Sequence, residues 1–227
     1  MMTDTDKTLS AILAECAAQP NVCALAKHFK SATEMETAIY ALIDRVRSHP
    51  LVLNTTMVDY SILKSSIVGI IKAPQGAIPQ MLALLDGLIT GNTTAIEANT
   101  GSFVGGALFP LMDEALPGIR CADKSAKATA FEELEPVFAD TRKLSKLGTG
   151  INAHLLTACA QWKFADKGRY AGPWANIRTK NPILLIGNTY DPVTPLTSAY
   201  NTSAIFPGSV VLEQRGYGVC SILFHPF

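Results

Sequence analysis

Two short apolar runs, separated by a spacer rich in Pro and Thr, constrain this chain more than any other feature. Ile183, Leu184, Leu185 and Ile186 run without a polar break between Pro182 and Gly187, and Val210, Val211 and Leu212 do the same after Pro207-Gly208. Continuous rather than alternating runs suit strands buried on both faces of a parallel sheet. Parallel neighbours need a long connection. The spacer Pro195 to Phe206 is long enough for a helical crossover, with Thr194 as N-cap and Pro195 at the first helical position. The pattern predicts strands over 182–187 and 209–214 with a helix between them. Asp191 then falls just past the carboxyl end of the first strand, the edge where open α/β sheets bind ligands and do chemistry.

The preceding two thirds of the chain read as helical. Thr33-Glu34-Met35-Glu36 has capping-box form, and Met35, Ile39, Leu42, Ile43 and Val46 fall on one face behind it. Pro79 followed by Met81, Leu82, Leu85, Leu88 and Ile89, with Gly91 at the end, carries both a start and a stop signal. Weaker helical patterns cover Lys7 to Cys16, Met57 to Ile71, Phe131 to Lys146 and Ile151 to Trp162. Phe103 to Cys121, interrupted by Gly and Pro, reads as a loop joining two groups of helices. Only two good strands are offered, and two strands are marginal as an independent sheet.

Composition excludes several function classes. With 48% hydrophobic and 17% charged residues over 227 positions, the chain can bury a sizeable core. Its 19 basic and 19 acidic residues balance and form no run of like charge, which leaves no electrostatic footprint for nucleic acid or an anionic membrane. The most apolar region, Ser61 to Ile89, is broken by Lys64, Lys72, Pro74, Pro79 and Asp86, so no membrane span is expected. The polar, acidic opening Met-Met-Thr-Asp-Thr-Asp-Lys does not read as a signal peptide. No Cys or His pair has finger-like spacing, and no cofactor or metal site is expected. Without further information the five cysteines read as buried and reduced. Three acceptor sequons, at Asn54, Asn92 and Asn201, lean towards a secreted ancestor instead.

The turn after the first apolar run carries a resemblance. Gly187, Asn188, Asp191, Pro192, Val193, Thr194 and Pro195 spell G-N-x-x-D-P-V-T-P. This resembles the C-terminal domain of the tripeptidyl-aminopeptidase-like serine hydrolases of the α/β-hydrolase superfamily, a secreted microbial group. The resemblance implies that Asp191 is the triad acid, which orients a catalytic His. The bland alternative is an Asp that caps a turn before Pro192. The family carries its His after the next strand as G-H-C-S; here the aligned residues are Gly218, Val219, Cys220 and Ser221. Val219 has no proton-accepting atom, so general-base catalysis is lost there. His225 is a remote substitute, and Cys220 paired with it a remoter nucleophile. No stretch fits G-x-S-x-G. In the nearest, Gly101 to Gly105, Ser102 follows the glycine directly.

The same resemblance implies two disulfides, Cys16–Cys23 and Cys121–Cys159, leaving Cys220 free. It also implies a helical cap over 1–165 and a C-terminal α/β-hydrolase segment over 166–227, with the return from the cap between about Ile119 and Ala171, near Ile119-x-Cys121-x-Asp123. The expected fold is therefore α/β but mostly helical: a helical cap region followed by a partial α/β-hydrolase unit with two parallel strands and a crossover helix. The resemblance covers the family's cap and C-terminal parts and not its early strands, oxyanion-hole loop or nucleophile elbow. The expected function is that of a partial or degenerate member, inactive alone, of a family acting on peptides or small esters. The alternative is a non-catalytic module that binds peptide, with Trp162, Tyr170 and Trp174 lining a groove, or that pairs with another chain at the open edge of the first strand.

Overall fold

The computed structural model describes residues 2–53, 56–73, 76–107, 115–123, 127–148, 150, 153–164, 167–170 and 172–219; at positions 56, 102–107, 115, 116 and 154 the backbone alone is described. Helices α1 (Thr5–Ala18), α2 (Ala32–Ser48), α3 (Tyr60–Lys72), α4 (Ile78–Thr90) and α5 (Thr93–Ala107) form the first group. Their apolar faces meet in one core, where Leu9, Ile12, Leu13, Leu25, Met35, Ile39, Leu63, Ile67, Ile71, Ile78 and Met81 are fully buried. At about 1.5–3 kcal/mol for each large apolar side chain withdrawn from water, most of the driving force for folding resides here.

The two strongest helical patterns place their residues as the spacing requires. Met35, Ile39, Leu42, Ile43 and Val46 are all buried on α2. On α4, Pro79 lies in the first turn, and Gly91 closes the helix at φ 79°, a left-handed conformation that Gly adopts without a Cβ clash; its N–H donates to the Gly87 carbonyl at 2.8 Å. The capping box of α2 lies two residues earlier than Thr33-Glu36. Ser31 Oγ accepts the Glu34 N–H at 3.2 Å and Glu34 Oε2 accepts the Lys30 N–H at 2.8 Å. Glu36 is engaged elsewhere, accepting the Ser10 hydroxyl of α1 at 2.9 Å.

Two local expectations fail for identifiable reasons. Met57 and Val58 are strand, not helix: β1 (Leu51–Leu53) pairs antiparallel with β2 (Thr56–Val58), Leu51 facing Val58. Asp59 then starts α3, its Oδ1 accepting the Ile62 N–H at 2.8 Å. With this hairpin the described residues hold four strands rather than two. Phe103 to Cys121 is not simply a loop either. Residues up to Ala107 continue α5 and α6 runs over Ala115–Asp123, with 108–114 outside the described residues. Glycines at 105 and 106 and the proline at 117 fall in end turns, where the penalty is modest, and Gly101, inside α5, costs about 1 kcal/mol.

A second, smaller group comprises α6, a 3₁₀ turn at Phe131–Leu134, α7 (Glu135–Leu144) and α8 (Ala153–Ala160). Among the described residues its buried cluster comprises Cys121, Leu155 and Cys159, with Trp162 packed against it. So small a cluster leans on its covalent staple. Cys121–Cys159 joins α6 to the C-terminal end of α8, and Cys16–Cys23 closes the loop after α1. Both pairings are those the family resemblance implies. Among the described residues no helix is long and apolar enough to cross a membrane.

The C-terminal unit is β3 (Leu184–Tyr190), α9 (Leu196–Ser203) and β4 (Val210–Tyr217), the two strands parallel with Leu184 opposite Val210 and Ile186 opposite Leu212. Both strands run further than their apolar cores, so Asp191 directly follows the end of β3. One expectation is overturned: the sheet is not buried on both faces. Alpha9 covers one face, where Gly187 is so close that an added Cβ would come within 2.8 Å of Leu196 Cδ1. On the other face Leu184, Ile186, Val210 and Leu212 are 58%, 50%, 58% and 51% exposed, because no described element packs there. The N-cap also shifts, from Thr194 to Pro195, with no side-chain cap bond, and the Thr194 hydroxyl donates to Asp191.

Candidate functional site

Asp191 is 3% exposed, and its carboxylate is fully engaged by its own turn. Oδ1 accepts the Val193 and Thr194 amides at 2.9 and 2.8 Å, while Oδ2 accepts the Thr194 hydroxyl at 2.5 Å. Pro192 between them has no N–H, so the first amide able to reach the carboxylate is that of Val193. This is an Asx-type turn, the local geometry that makes Asp common before such bends. Three donors on one buried carboxylate fix its direction.

The strand beside it carries the second half of the site. Asn188 Nδ2 donates to the Gly218 carbonyl at 2.7 Å, and the Gly218 N–H donates to the Tyr190 carbonyl at 3.0 Å. Gly218 sits at φ 85°, where a Cβ would be strained, so the chain can bend immediately after β4. Val219 follows, held by its N–H to the Lys72 carbonyl at 2.9 Å. Asp191 and Val219 thereby line one pocket of about 250 Å³, together with Asn188, Thr194, Ser198 and Thr202. The buried Asn188 Oδ1 has no hydrogen-bond partner among the described residues.

The site is braced by the N-terminal helix, a feature invisible in the sequence. Thr5 Oγ1 donates to the Pro192 carbonyl at 2.6 Å, and the Met2 N–H donates to the Val193 carbonyl at 3.2 Å. Asp6 accepts from Ser145 Oγ, the Lys146 N–H and the Leu147 N–H at 2.7–2.8 Å, pinning the chain where it leaves α7. Tyr190 and Tyr217, opposite each other in register, stack at 4.8 Å, and the Tyr217 hydroxyl donates to Glu15 Oε1 at 2.5 Å. Burial, followed by that hydrogen bond and the Glu15 charge, pushes the Tyr217 phenol well above its ordinary value, so it stays a donor. The only hint of these roles in the sequence is the Thr-Asp-Thr-Asp opening, which also suits an ordinary first helical turn.

Neither the remaining candidate residues nor the other histidines are gathered here. His28 pairs with Asp86 and His49 contacts Ser48, both away from this pocket. Cys220, Ser221 and His225, and the side chains of Ser102 and His154, lie outside the described residues. Trp162 packs on the second cluster, whereas Tyr170 and Trp174 form an exposed edge-to-face pair at 4.9 Å. None of the three aromatics lines the Asp191 pocket. Chemically, the described pocket offers a fixed carboxylate with the isopropyl group of Val219 on the same wall.

Comparison with known proteins supports the ancestry of this unit. A family model described as TAP-like protein matches residues 146–225, starting at the lysine whose amide Asp6 holds. No curated protein matches the chain. The matched segment contains β3, the Asp191 turn, α9, β4 and Val219. The match supports a TAP-like α/β-hydrolase C-terminal domain over residues 146–225.

Proposed function

We propose that Asp191 occupies the triad-acid position of a degenerate serine hydrolase, and that this chain alone does not hydrolyse the peptides or small esters its family acts on. The observation that carries this reading is the shared pocket: Asp191 and Val219 line it together, at adjacent strand ends. In a working triad the Asp orients a His, the His takes the proton of a Ser as it attacks the carbonyl, and backbone donors stabilise the oxyanion. Valine can perform neither proton transfer nor imidazolium formation. A carboxylate without its base retains the turn and loses the chemistry. The test incubates the purified protein with a chromogenic tripeptide and with an active-site serine phosphonate. No turnover and no covalent labelling are expected; either one, removed by the phosphonate or located on a serine, overturns the proposal.

A second reading, a subunit-interaction module, is favoured by the apolar sheet face. Leu184, Ile186, Val210 and Leu212 form a contiguous exposed patch beside an unpaired strand edge, the kind of surface that another chain covers. Sedimentation of the parent and of a Leu184→Lys/Leu212→Lys variant separates the readings. Self-association lost in the variant supports the module; a monomer in both cases leaves no support for pairing between copies.

A further inference from the structure

We propose that the cavity walled by α6, α7 and α8 binds an amphipathic molecule with an aliphatic tail and an anionic head, the head received by Arg120. The cavity measures about 460 Å³, within the ~300–1,000 Å³ usual for small-molecule sites, and is the larger of the two pockets described. Phe138, Leu144, Leu155 and Leu156 supply an apolar wall, with Met2 at one side. It shares no lining residue with the Asp191 pocket, so this site does not depend on the hydrolase reading.

The polar groups on the wall differ in what they still require. Thr141 Oγ1 donates to the Phe138 carbonyl, and Ser145 Oγ donates to Asp6 while accepting the Gly148 N–H. Arg120 is half-buried and has no ion pair or hydrogen bond with another described residue. Asp123, one turn further along α6, is exposed and solvated. A partly desolvated guanidinium beside an apolar hollow selects a carboxylate, which it can grip through two N–H donors, over an ammonium or a neutral head. The Cys121–Cys159 bridge holds two of the walls together.

Calorimetric titration of the oxidised full chain with hexanoate, octanoate, decanoate, decanol and decyltrimethylammonium tests the site. These probes have no scissile bond, so the outcome is independent of any hydrolase activity. One saturable site per chain is expected, its affinity rising about fourfold per added methylene. Decanol and the ammonium should bind about tenfold more weakly than decanoate, and Arg120→Gln should reduce decanoate to the level of decanol without changing decanol itself. Leu144→Trp, which fills the cavity from its exposed rim, should abolish binding of both. No saturable binding below the micellar range, or equal affinity for the three head groups on the unmodified chain, overturns the proposal. So does an Arg120→Gln variant that binds decanoate unchanged.

Discussion

Asp191 and Val219 face one pocket from the ends of neighbouring parallel strands, the first directly after β3 and the second two residues beyond β4. The Asn188 side chain, clamping the Gly218 carbonyl at 2.7 Å, fixes the separation between them. Position 219 is thus held at the same pocket as the Asp191 carboxylate, and its isopropyl group carries no proton acceptor.

Replacing that side chain tests how much else is missing. Val219→His places an imidazole beside the carboxylate, yet hydrolysis of a chromogenic tripeptide should remain at background, because the pocket hydroxyls belong to the Asp191 turn (Thr194) and to α9 (Ser198, Thr202), not to a G-x-S-x-G elbow. A rate gain of about a hundredfold, the scale of general-base catalysis, would show that Ser198, or a serine or cysteine outside the described residues, serves as nucleophile.

The Asp191 turn makes a stability prediction independent of catalysis. Asp191→Ala leaves two amides and a hydroxyl without their acceptor in a part-buried site and should cost about 2–3 kcal/mol. Asp191→Asn keeps an acceptor oxygen for the two amides and should cost less than half as much. Urea denaturation of the two variants decides; equal losses would mean that charge, not the turn's hydrogen bonds, sets the stability.

The N-terminal brace should be felt at a distance in sequence. Asp6→Ala removes the acceptor for three donors at 145–147 and is expected to destabilise by about 3 kcal/mol, whereas Thr5→Val, losing one buried bond to Pro192, should cost about 1 kcal/mol. Hydrogen exchange would show whether protection of the Val193 and Thr194 amides falls in both variants. If it falls in neither, α1 does not brace the turn.

How far the sequence discloses this architecture depends on the range of the forces involved. The stripes on α2 and α4 repeat with the helical period and end in local signals such as Gly91, so both are legible. The apolar cores of β3 and β4, and the placing of Asp191 after β3, are legible for the same local reason. The three-residue strands of the β1–β2 hairpin are too short to carry a period of two. Exposure of Ile186 and Leu212 depends on which elements reach that sheet face, and apolar runs cannot report it. The partnership of Thr5 with Pro192 spans almost the whole chain and leaves no periodic trace at all.

The two disulfides differ in what they protect. With sequence separations of 38 and 7, chain-entropy arguments assign about 4 kcal/mol to Cys121–Cys159 and about 2 kcal/mol to Cys16–Cys23. Cys16 belongs to the main core, whereas Cys121 and Cys159 make up most of the small second cluster. Cys121→Ser/Cys159→Ser should therefore expose the α6–α8 region to proteolysis while Cys16→Ser/Cys23→Ser leaves it resistant. Thiol titration of the unreduced, denatured parent should find one free thiol among its five cysteines; three or more would disprove the pairing.

Asp86 yields the pH prediction. It is 6% exposed on α4, with Oδ1 buried and without a hydrogen-bond partner among the described residues, and Oδ2 3.6 Å from His28 Nε2. Burial raises its pKa from the ordinary 3.8, more than His28 and Lys27 lower it. Below 3.8 the carboxyl is protonated in the folded and unfolded chain alike and contributes no pH dependence. As pH rises past that value the unfolded chain releases its proton first, so folding stability declines until the folded carboxyl has also ionised, and the loss then stays constant. Asp86→Asn cannot ionise and escapes this loss, although it gives up the attraction to His28. Urea midpoints of parent and variant from about pH 3.5 to about pH 7 should therefore diverge in favour of the variant as pH rises. Taking the difference cancels the titrating groups that do not interact with Asp86, and leaves its couplings to His28 and Lys27 in the measured gap. A constant gap, or one that moves towards the parent, would mean that the His28 pair outweighs the cost of burying the charge.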